Sequence, residues 1–327
     1  MKQAVIEARG LAKTYKVRAR GKNAPKTVDA VKGVDITVNA GEIVGFLGPN
    51  GAGKTTTLRM LTTLLEPTGG TATVAGADLA SDPVEVRRRI GYVAQMGTTD
   101  PAAVAGEELV DQAKLYGIHA ARAEERGREL LSGLDLEGLW DRKCGTLSGG
   151  QRRRLDIAMG LIHEPALVFL DEPSTGLDPQ SRANLWKHIR RVRDDLNTTV
   201  FITTHYMDEA DALCDRILII DHGEIVAEGT PDELKRRVGG DAVVVTLAKT
   251  ADGPKAVKTA AGAIKGSEPE ADGVTVRLTA ANGGASLPAL LGALAKAGIE
   301  VAGVEVRRPT LDDVFLTLTG HSLRDDA

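Results

Sequence analysis

Apolar positions along this chain follow two rhythms. Short unbroken runs occur at Glu42-Ile43-Val44-Gly45-Phe46-Leu47, Ala166-Leu167-Val168-Phe169-Leu170, Val200-Phe201-Ile202-Thr203-Thr204 and residues 217–220. Runs of that length, bounded by polar residues or glycine, predict strands buried on both faces. Between them, residues 55–65, 107–117, 120–134 and 151–162 read as helices, the second and third forming an α-rich block in mid-chain. Strands alternating with helices predict an α/β domain with a largely parallel sheet. Residues 4–15 alternate weakly and read as strand and turn. Residues 16–26 are basic, with Gly21, Asn23 and Pro25, and read as a solvated loop. Composition changes at Gly239-Gly240. Beyond it, residues 242–247, 274–278 and 299–306 read as strands and 254–263 and 286–297 as helices, a small α+β unit. Residues 231–237 read as the last helix of the first domain. The expected domains are therefore 1–238 and 239–327.

Bulk properties narrow the class. A chain of 327 residues exceeds what one core usually supports, so two domains are the default. With 41 basic and 45 acidic residues the net charge is −4, which argues against a nucleic-acid partner. Cys144 and Cys214 are too few for a disulfide framework and read as reduced thiols. The first residues lack the apolar stretch of a signal peptide. No run of about 18 apolar residues occurs, so the expectation is that any membrane role runs through a partner.

The chemistry begins at Gly48-Pro49-Asn50-Gly51-Ala52-Gly53-Lys54-Thr55, which fits G-x-x-x-x-G-K-[ST]. Glycines let the backbone curl so that its N–H groups face phosphate oxygens, and the following helix, from Thr55 and Thr56, adds the positive end of its dipole. Lys54 would reach the terminal phosphates and the Thr55 hydroxyl would ligate Mg²⁺. A chance match in a chain this long has a probability on the order of 1%. Far downstream, an apolar strand delivers Asp171 and Glu172 at its carboxyl end, where α/β sheets place their ligands. Asp171 fits the acid that holds Mg²⁺, and Glu172 the acid that polarises an attacking water. Alone, the pair reads equally well as a solvated strand end; the upstream phosphate loop favours the functional reading.

Between these motifs lies Leu147-Ser148-Gly149-Gly150-Gln151, which resembles the signature of ABC-transporter ATPases. Further motifs follow in the family's order. Tyr15 stands where an aromatic stacks on adenine. Gln95, after Ile90-Gly91-Tyr92-Val93-Ala94, resembles the Q-loop glutamine. Ser174-Thr175-Gly176-Leu177-Asp178 resembles the D-loop, and His205, after Thr203-Thr204, the switch histidine. The resemblance spans residues 4–237. It implies a P-loop ATPase domain with a mostly parallel core sheet, an antiparallel N-terminal β part and a helical subdomain at about residues 97–147. ATP and Mg²⁺ are the implied ligands. His205 is implied to contact the γ-phosphate and support Glu172, and Gln95 to bind Mg²⁺ or water and link the site to a membrane partner. Ser148, Gly149, Gly150 and Gln151 open a helix and form a second anion site. The family's arrangement implies that this site completes the ATP pocket of a second copy, head to tail.

Alternatives stand beside these readings. A lone histidine is more often structural, Gln95 without the resemblance reads as an ordinary exposed side chain, and Tyr15 reads alternatively as a core aromatic. The arginine runs Arg152-Arg153-Arg154 and Arg87-Arg88-Arg89, and the cluster Arg190, Arg191 and Arg193, read as solvated helix faces, with some of the first run able to aid phosphate binding. His119, His163, His188, His222 and His321 read as structural or solvated. Leu109, Leu115 and Tyr116 are candidates for a partner surface, or for helix packing. The tail, Thr310-Leu311-Asp312-Asp313-Val314-Phe315-Leu316-Thr317-Leu318-Thr319-Gly320, resembles that of daunorubicin-resistance-type subunits, with Leu311, Val314, Phe315 and Leu318 on one helical stripe. That resemblance implies drug or antibiotic efflux through a separate ABC-2-type permease, with the chain peripheral on the cytoplasmic membrane face. Lipid or polysaccharide export, or a soluble ABC ATPase, is the alternative. A translation-type ATPase would carry two P-loops, a repair-type one a long coiled coil, and a small-molecule kinase would lack the signature and the histidine.

Overall fold

A computed structural model of the chain describes residues 3–17 and 26–320. It divides into two compact units at Pro231–Asp232, earlier than the composition change at Gly239-Gly240. The first unit runs β1 (Ala4–Val17), β2 (Lys26–Asn39), β3 (Ile43–Leu47), α1 (Lys54–Leu61), β4 (Gly69–Val74), β5 (Ala77–Asp78), α2 (Pro83–Arg89), β6 (Ile90–Val93), α3 (Ala105–Leu115), α4 (Ala120–Gly133), α5 (Gly149–Leu161), β7 (Leu167–Asp171), α6 (Pro179–Leu196), β8 (Thr199–Thr204), α7 (Met207–Leu213), β9 (Arg216–Asp221) and β10 (Glu224–Gly229), with α8 (Pro231–Arg237) at the division. Lys16 and Lys26 thus belong to strands; residues 18–25 of the basic segment, and His321, lie outside the described residues.

Among the described residues this unit holds two sheets. One is six-stranded, in the order β10-β9-β3-β8-β7-β6, parallel except for the antiparallel edge strand β10. The other is antiparallel, in the order β2-β1-β4-β5. Every residue of β3 and β7 is buried, as their unbroken apolar runs require. Phe46, Phe169 and Phe201 meet in the core, with ring centroids 5.6 Å apart in both pairs that Phe201 forms. Parallel register brings the carboxyl ends of β3, β7 and β8 to one edge of the sheet, so the phosphate loop, Asp171 and His205 leave the sheet together.

The helix read as 55–65 stops at Leu61. Thr63 takes a left-handed φ of 63°, and Leu65 N turns back to Arg59 O at 3.0 Å. In the α-rich block Leu109 is fully buried, so it is core and not a partner surface. Leu115, 82% exposed, and Tyr116 remain outside. The Tyr116 ring stacks on His163 at 3.7 Å. Cys144 and Cys214 are free and buried, and Cys214 packs so tightly on Gly45 that a Cβ there would lie 2.6 Å from Sγ.

The second unit runs β11 (Asp241–Leu247), α9 (Gly253–Ala263), β12 (Glu270–Asp272), β13 (Thr275–Ala280), α10 (Gly283–Lys296), β14 (Val301–Arg307) and α11 (Leu311–Thr319). Its described sheet has the order β12-β13-β11-β14, antiparallel throughout, the split βαβ arrangement. Val243, Val245, Val276 and Leu278 form its core with Ala256, Ala260, Leu290 and Leu294 of the two longer helices. Thr310 and Asp313 close a capping box on α11. Leu311, Val314 and Phe315 of its stripe are buried, whereas Leu318 is exposed.

Candidate active site

Backbone geometry builds the phosphate loop first. Gly53 caps α1 with φ 107°, and Gly51 has φ 81°. Such angles favour glycine, and at Gly48 and Gly53 the neighbouring backbone also leaves no room for a side chain. A Cβ on Gly48 would lie 2.2 Å from Ile220 O, and one on Gly53 2.6 Å from Ala30 O. Pro49 and Ala52 are buried, Asn50 and Gly51 exposed, and Thr55 and Thr56 half-buried. Lys54 curls back over this loop, its Nζ donating to Gly48 O at 2.8 Å and Pro49 O at 3.0 Å. The same nitrogen lies 3.4 Å from Glu172 Oε1. Burial pulls the Lys54 ammonium below its ordinary pKa, against the opposing pull of Glu172 and Asp171.

Asp171 closes β7 and is almost wholly buried. Thr203 Oγ1 donates to its Oδ1 at 2.6 Å, and Thr55 Oγ1 to the same oxygen at 3.5 Å. Burial raises its pKa despite the Thr203 bond. Glu172 has a left-handed φ of 43°, unusual for a non-glycine residue. Its backbone N–H is fixed by Thr203, at 3.1 Å to O and 3.0 Å to Oγ1. Its Oε2 accepts from Gln95 Nε2 at 3.0 Å and Thr175 Oγ1 at 3.2 Å, and lies 3.2 Å from His205 Nδ1, a contact without hydrogen-bond alignment. Burial opposes ionisation of Glu172, but His205 and Lys54 outweigh it and hold the pKa below the ordinary carboxylate value. The site thus holds an ionised carboxylate with one oxygen crowded by donors and the other facing Lys54.

Lys54, Thr55, Gln95, Asp171, Glu172 and His205 are therefore brought together by direct contacts. No hydrogen bond or ion pair among the described residues joins Tyr15, Ser148, Gly149, Gly150 or Asp178 to that cluster. Tyr15, 38% exposed on β1 with Lys13 Nζ 5.6 Å from its ring centre, is not a core aromatic. Ser148 caps α5, its Oγ accepting from Gln151 N at 3.2 Å, while Gln151 Oε1 accepts from Ser148 N at 3.0 Å. The Gln151 side chain is thus occupied in a capping box. Asp178 caps α6, accepting from Ser181 N at 2.9 Å and Ser181 Oγ at 2.6 Å. Ser181 also borders the signature, since a Cβ on Gly150 would lie 3.3 Å from its Oγ.

Residues the sequence reading passed over take part. Thr203 and Thr175 hold the two carboxylates. Glu209, wholly buried on α7, accepts from Ser174 Oγ and, at 3.0 Å, from Trp186 Nε1, tying the segment after Glu172 to the helix after His205. A Thr-Thr pair ending a buried strand beside carboxylates was the available signal for Thr203. Arg153 corrects the solvated-face reading of its run: it is 7% exposed and bonds only to backbone carbonyls of the site. Arg87, Arg88 and Arg89 are exposed as expected. His188 is buried, its Nε2 3.1 Å from Arg154 Nη1.

A carboxylate pair and a basic phosphate loop at the carboxyl edge of a parallel sheet define the P-loop nucleoside-triphosphatase class. Residues 31–175 match the family model for ABC transporter, and residues 229–319 that for the C-terminal domain of DrrA1-3-like ATP-binding protein. The daunorubicin resistance ATP-binding protein DrrA2 of Streptomyces coeruleorubidus is 46% identical over 300 residues, 89% of this chain and 91% of its own. The daunorubicin/doxorubicin resistance ATP-binding protein DrrA of Streptomyces peucetius is 42% identical over 323 residues, 98% and 94% of the two chains. A dimeric ATP-binding cassette, solved in a post-hydrolysis state with ADP and Pi, matches with a TM-score of 0.61 at 26% identity, over 69% of this chain and 98% of that one. This chain belongs to the ABC-transporter family, as an ATP-hydrolysing subunit of the daunorubicin-resistance type. No helix of the described residues is long and apolar enough to cross a membrane.

Proposed function

We propose that this subunit powers efflux of a drug, antibiotic or similar hydrophobic compound through a separate ABC-2-type permease, working as a head-to-tail homodimer on the cytoplasmic face of the membrane. The observation that carries the hydrolytic half is the convergence of Lys54, Gln95 and His205 on one buried carboxylate, Glu172. The export half is supported by the resistance functions named for relatives that align along nearly the whole chain.

In this reading the N–H groups of residues 48–55 bind the ATP phosphates and Lys54 turns its ammonium to them. A phosphate that competes for Lys54 leaves Glu172 Oε1 without its cation and open to a water proton, while Gln95 and Thr175 keep Oε2 fixed. His205 sustains the ionised state of Glu172 and supports the γ-phosphate. Thr55 and Asp171, whose oxygens lie 3.5 Å apart, would hold Mg²⁺ together with the Gln95 amide oxygen, hard oxygen donors of the kind that ion takes. Bound Mg²⁺ would neutralise charge on the phosphates. Tyr15 would stack on adenine. The exposed amino end of α5, at Ser148, Gly149 and Gly150, would meet the ATP of a second copy, with Gln151 and Asp178 shaping that surface through their caps.

The permease would bind beside the α-rich block, where Leu115 and Tyr116 stand exposed next to Arg87, Arg88 and Lys114 around a cavity of about 760 Å³. The test is accumulation of a fluorescent anthracycline in cells expressing the chain with its permease. Native chain should lower cell-associated dye and Lys54→Ala should not; equal accumulation in both would reject export of that class of compound.

A further inference from the structure

Arg153 lies on α5, between the signature cap and the core, and its three donating nitrogens all end on backbone carbonyls. Nη1 donates to Ala94 O at 2.6 Å, Nη2 to Asp171 O at 3.0 Å and Nε to Pro173 O at 2.9 Å. An arginine is rarely this buried unless paired. Asp156, about one turn further along α5, supplies the opposite charge and also accepts from Thr98 N at 3.3 Å. The identity of the carbonyls is informative. Ala94 precedes Gln95, and Asp171 and Pro173 flank Glu172. The left-handed backbone of Glu172 persists only where its surroundings over-determine it. Thr203 holds its N–H, and Arg153 holds the carbonyls on either side.

We infer that Arg153 is a positioning residue that registers the signature helix to Gln95 and Glu172, so that displacement of α5 is felt directly at the water-polarising carboxylate. The inference rests on the reading of Glu172 given above. Arg153 bonds to nothing in residues 48–55, so it governs turnover and leaves nucleotide affinity to the phosphate loop. A lysine at 153 keeps the charge but offers one point donor in place of a planar fork.

Steady-state hydrolysis by the full chain, binding of a fluorescent ATP analogue and thermal unfolding test this in Arg153→Lys and Arg153→Gln. In both, kcat should fall at least about tenfold, with KM and affinity within about twofold of native. Arg153→Gln should add no further loss in a Glu172→Gln background, because both changes act at one step. Native turnover in folded Arg153→Lys, or affinity lost in step with kcat, overturns the inference. If Arg153→Gln does not fold, Arg153→Lys decides; if that chain does not fold either, Arg153 is purely structural and the inference fails. Glu172→Gln alone separates the two claims. Full turnover there removes the reading of Glu172, whereas slow turnover there with normal Arg153→Lys removes only the role of Arg153.

Discussion

Lys54 Nζ and Glu172 Oε1 stand 3.4 Å apart with less than a tenth of either side chain exposed, so the proposed phosphate-binding cation and the proposed water-polarising anion are each other's counter-ion. Breaking a buried pair by removing one partner leaves an uncompensated charge, which makes the two residues interdependent in stability as well as in chemistry. Lys54 keeps two loop carbonyls and Glu172 keeps His205, Gln95 and Thr175, so neither loses all its partners at once.

Glu172→Gln should bind ATP and hydrolyse it about 10²- to 10⁴-fold more slowly, the usual loss for a general base. The amide keeps the shape of the carboxylate but cannot accept the water proton. With hydrolysis blocked, the ATP-bound chain should shift to dimer on size exclusion. Hydrolysis at the native rate would remove Glu172 from the mechanism.

Lys54→Ala should weaken ATP affinity about tenfold to a hundredfold, the worth of a charge-assisted phosphate contact. Equilibrium binding of a fluorescent ATP analogue reads this directly. Unaltered affinity would show that the loop backbone binds phosphate without the lysine.

The acid side of the pH profile should depend on His205. Burial opposes ionisation of Glu172, yet His205 and Lys54 hold its pKa below the ordinary carboxylate value. A pKa depressed on folding favours the ionised form in the folded state. Its contribution to stability is complete above the unfolded value and is lost as pH falls through the folded one. His205→Ala leaves burial less opposed, so the Glu172 pKa should rise and the acid limb of kcat move to higher pH. Profiles are compared relative to each variant's own plateau; superimposable acid limbs would detach His205 from the ionisation of Glu172.

Leu115→Asp should weaken recovery of the chain with membranes that contain the permease, because it places a desolvated carboxylate in the proposed contact. Co-sedimentation against permease-free membranes measures this. Undiminished permease-dependent pelleting would move the contact elsewhere on the chain.

The site's local motifs were legible in the sequence because their chemistry is local. A curled phosphate loop needs glycines at fixed spacing, and that loop gives the carboxylates ending a buried strand downstream their functional reading. What stayed hidden depends on direction. Neighbouring arginines on a helix point about 100° apart, so the run Arg152-Arg153-Arg154 cannot face solvent as a block, and its middle member turns inward. Gln151, read with the nucleotide ligands, spends its side chain on the helix cap. β12 was invisible for a different reason: Glu270–Asp272 is exposed throughout and has no apolar alternation, so only its pairing to β13 makes it a strand. The end of α1 turns on one left-handed threonine, Thr63, which no propensity favours.

Burial of Cys144 and Cys214 has a practical consequence. Desolvation raises the pKa of both thiols, so neither supplies the accessible thiolate that alkylating reagents require. Maleimide dyes should therefore react with an introduced surface cysteine over a silent native background. Movement of α5 against α1 during turnover can then be followed by energy transfer between two dyes in an otherwise native chain.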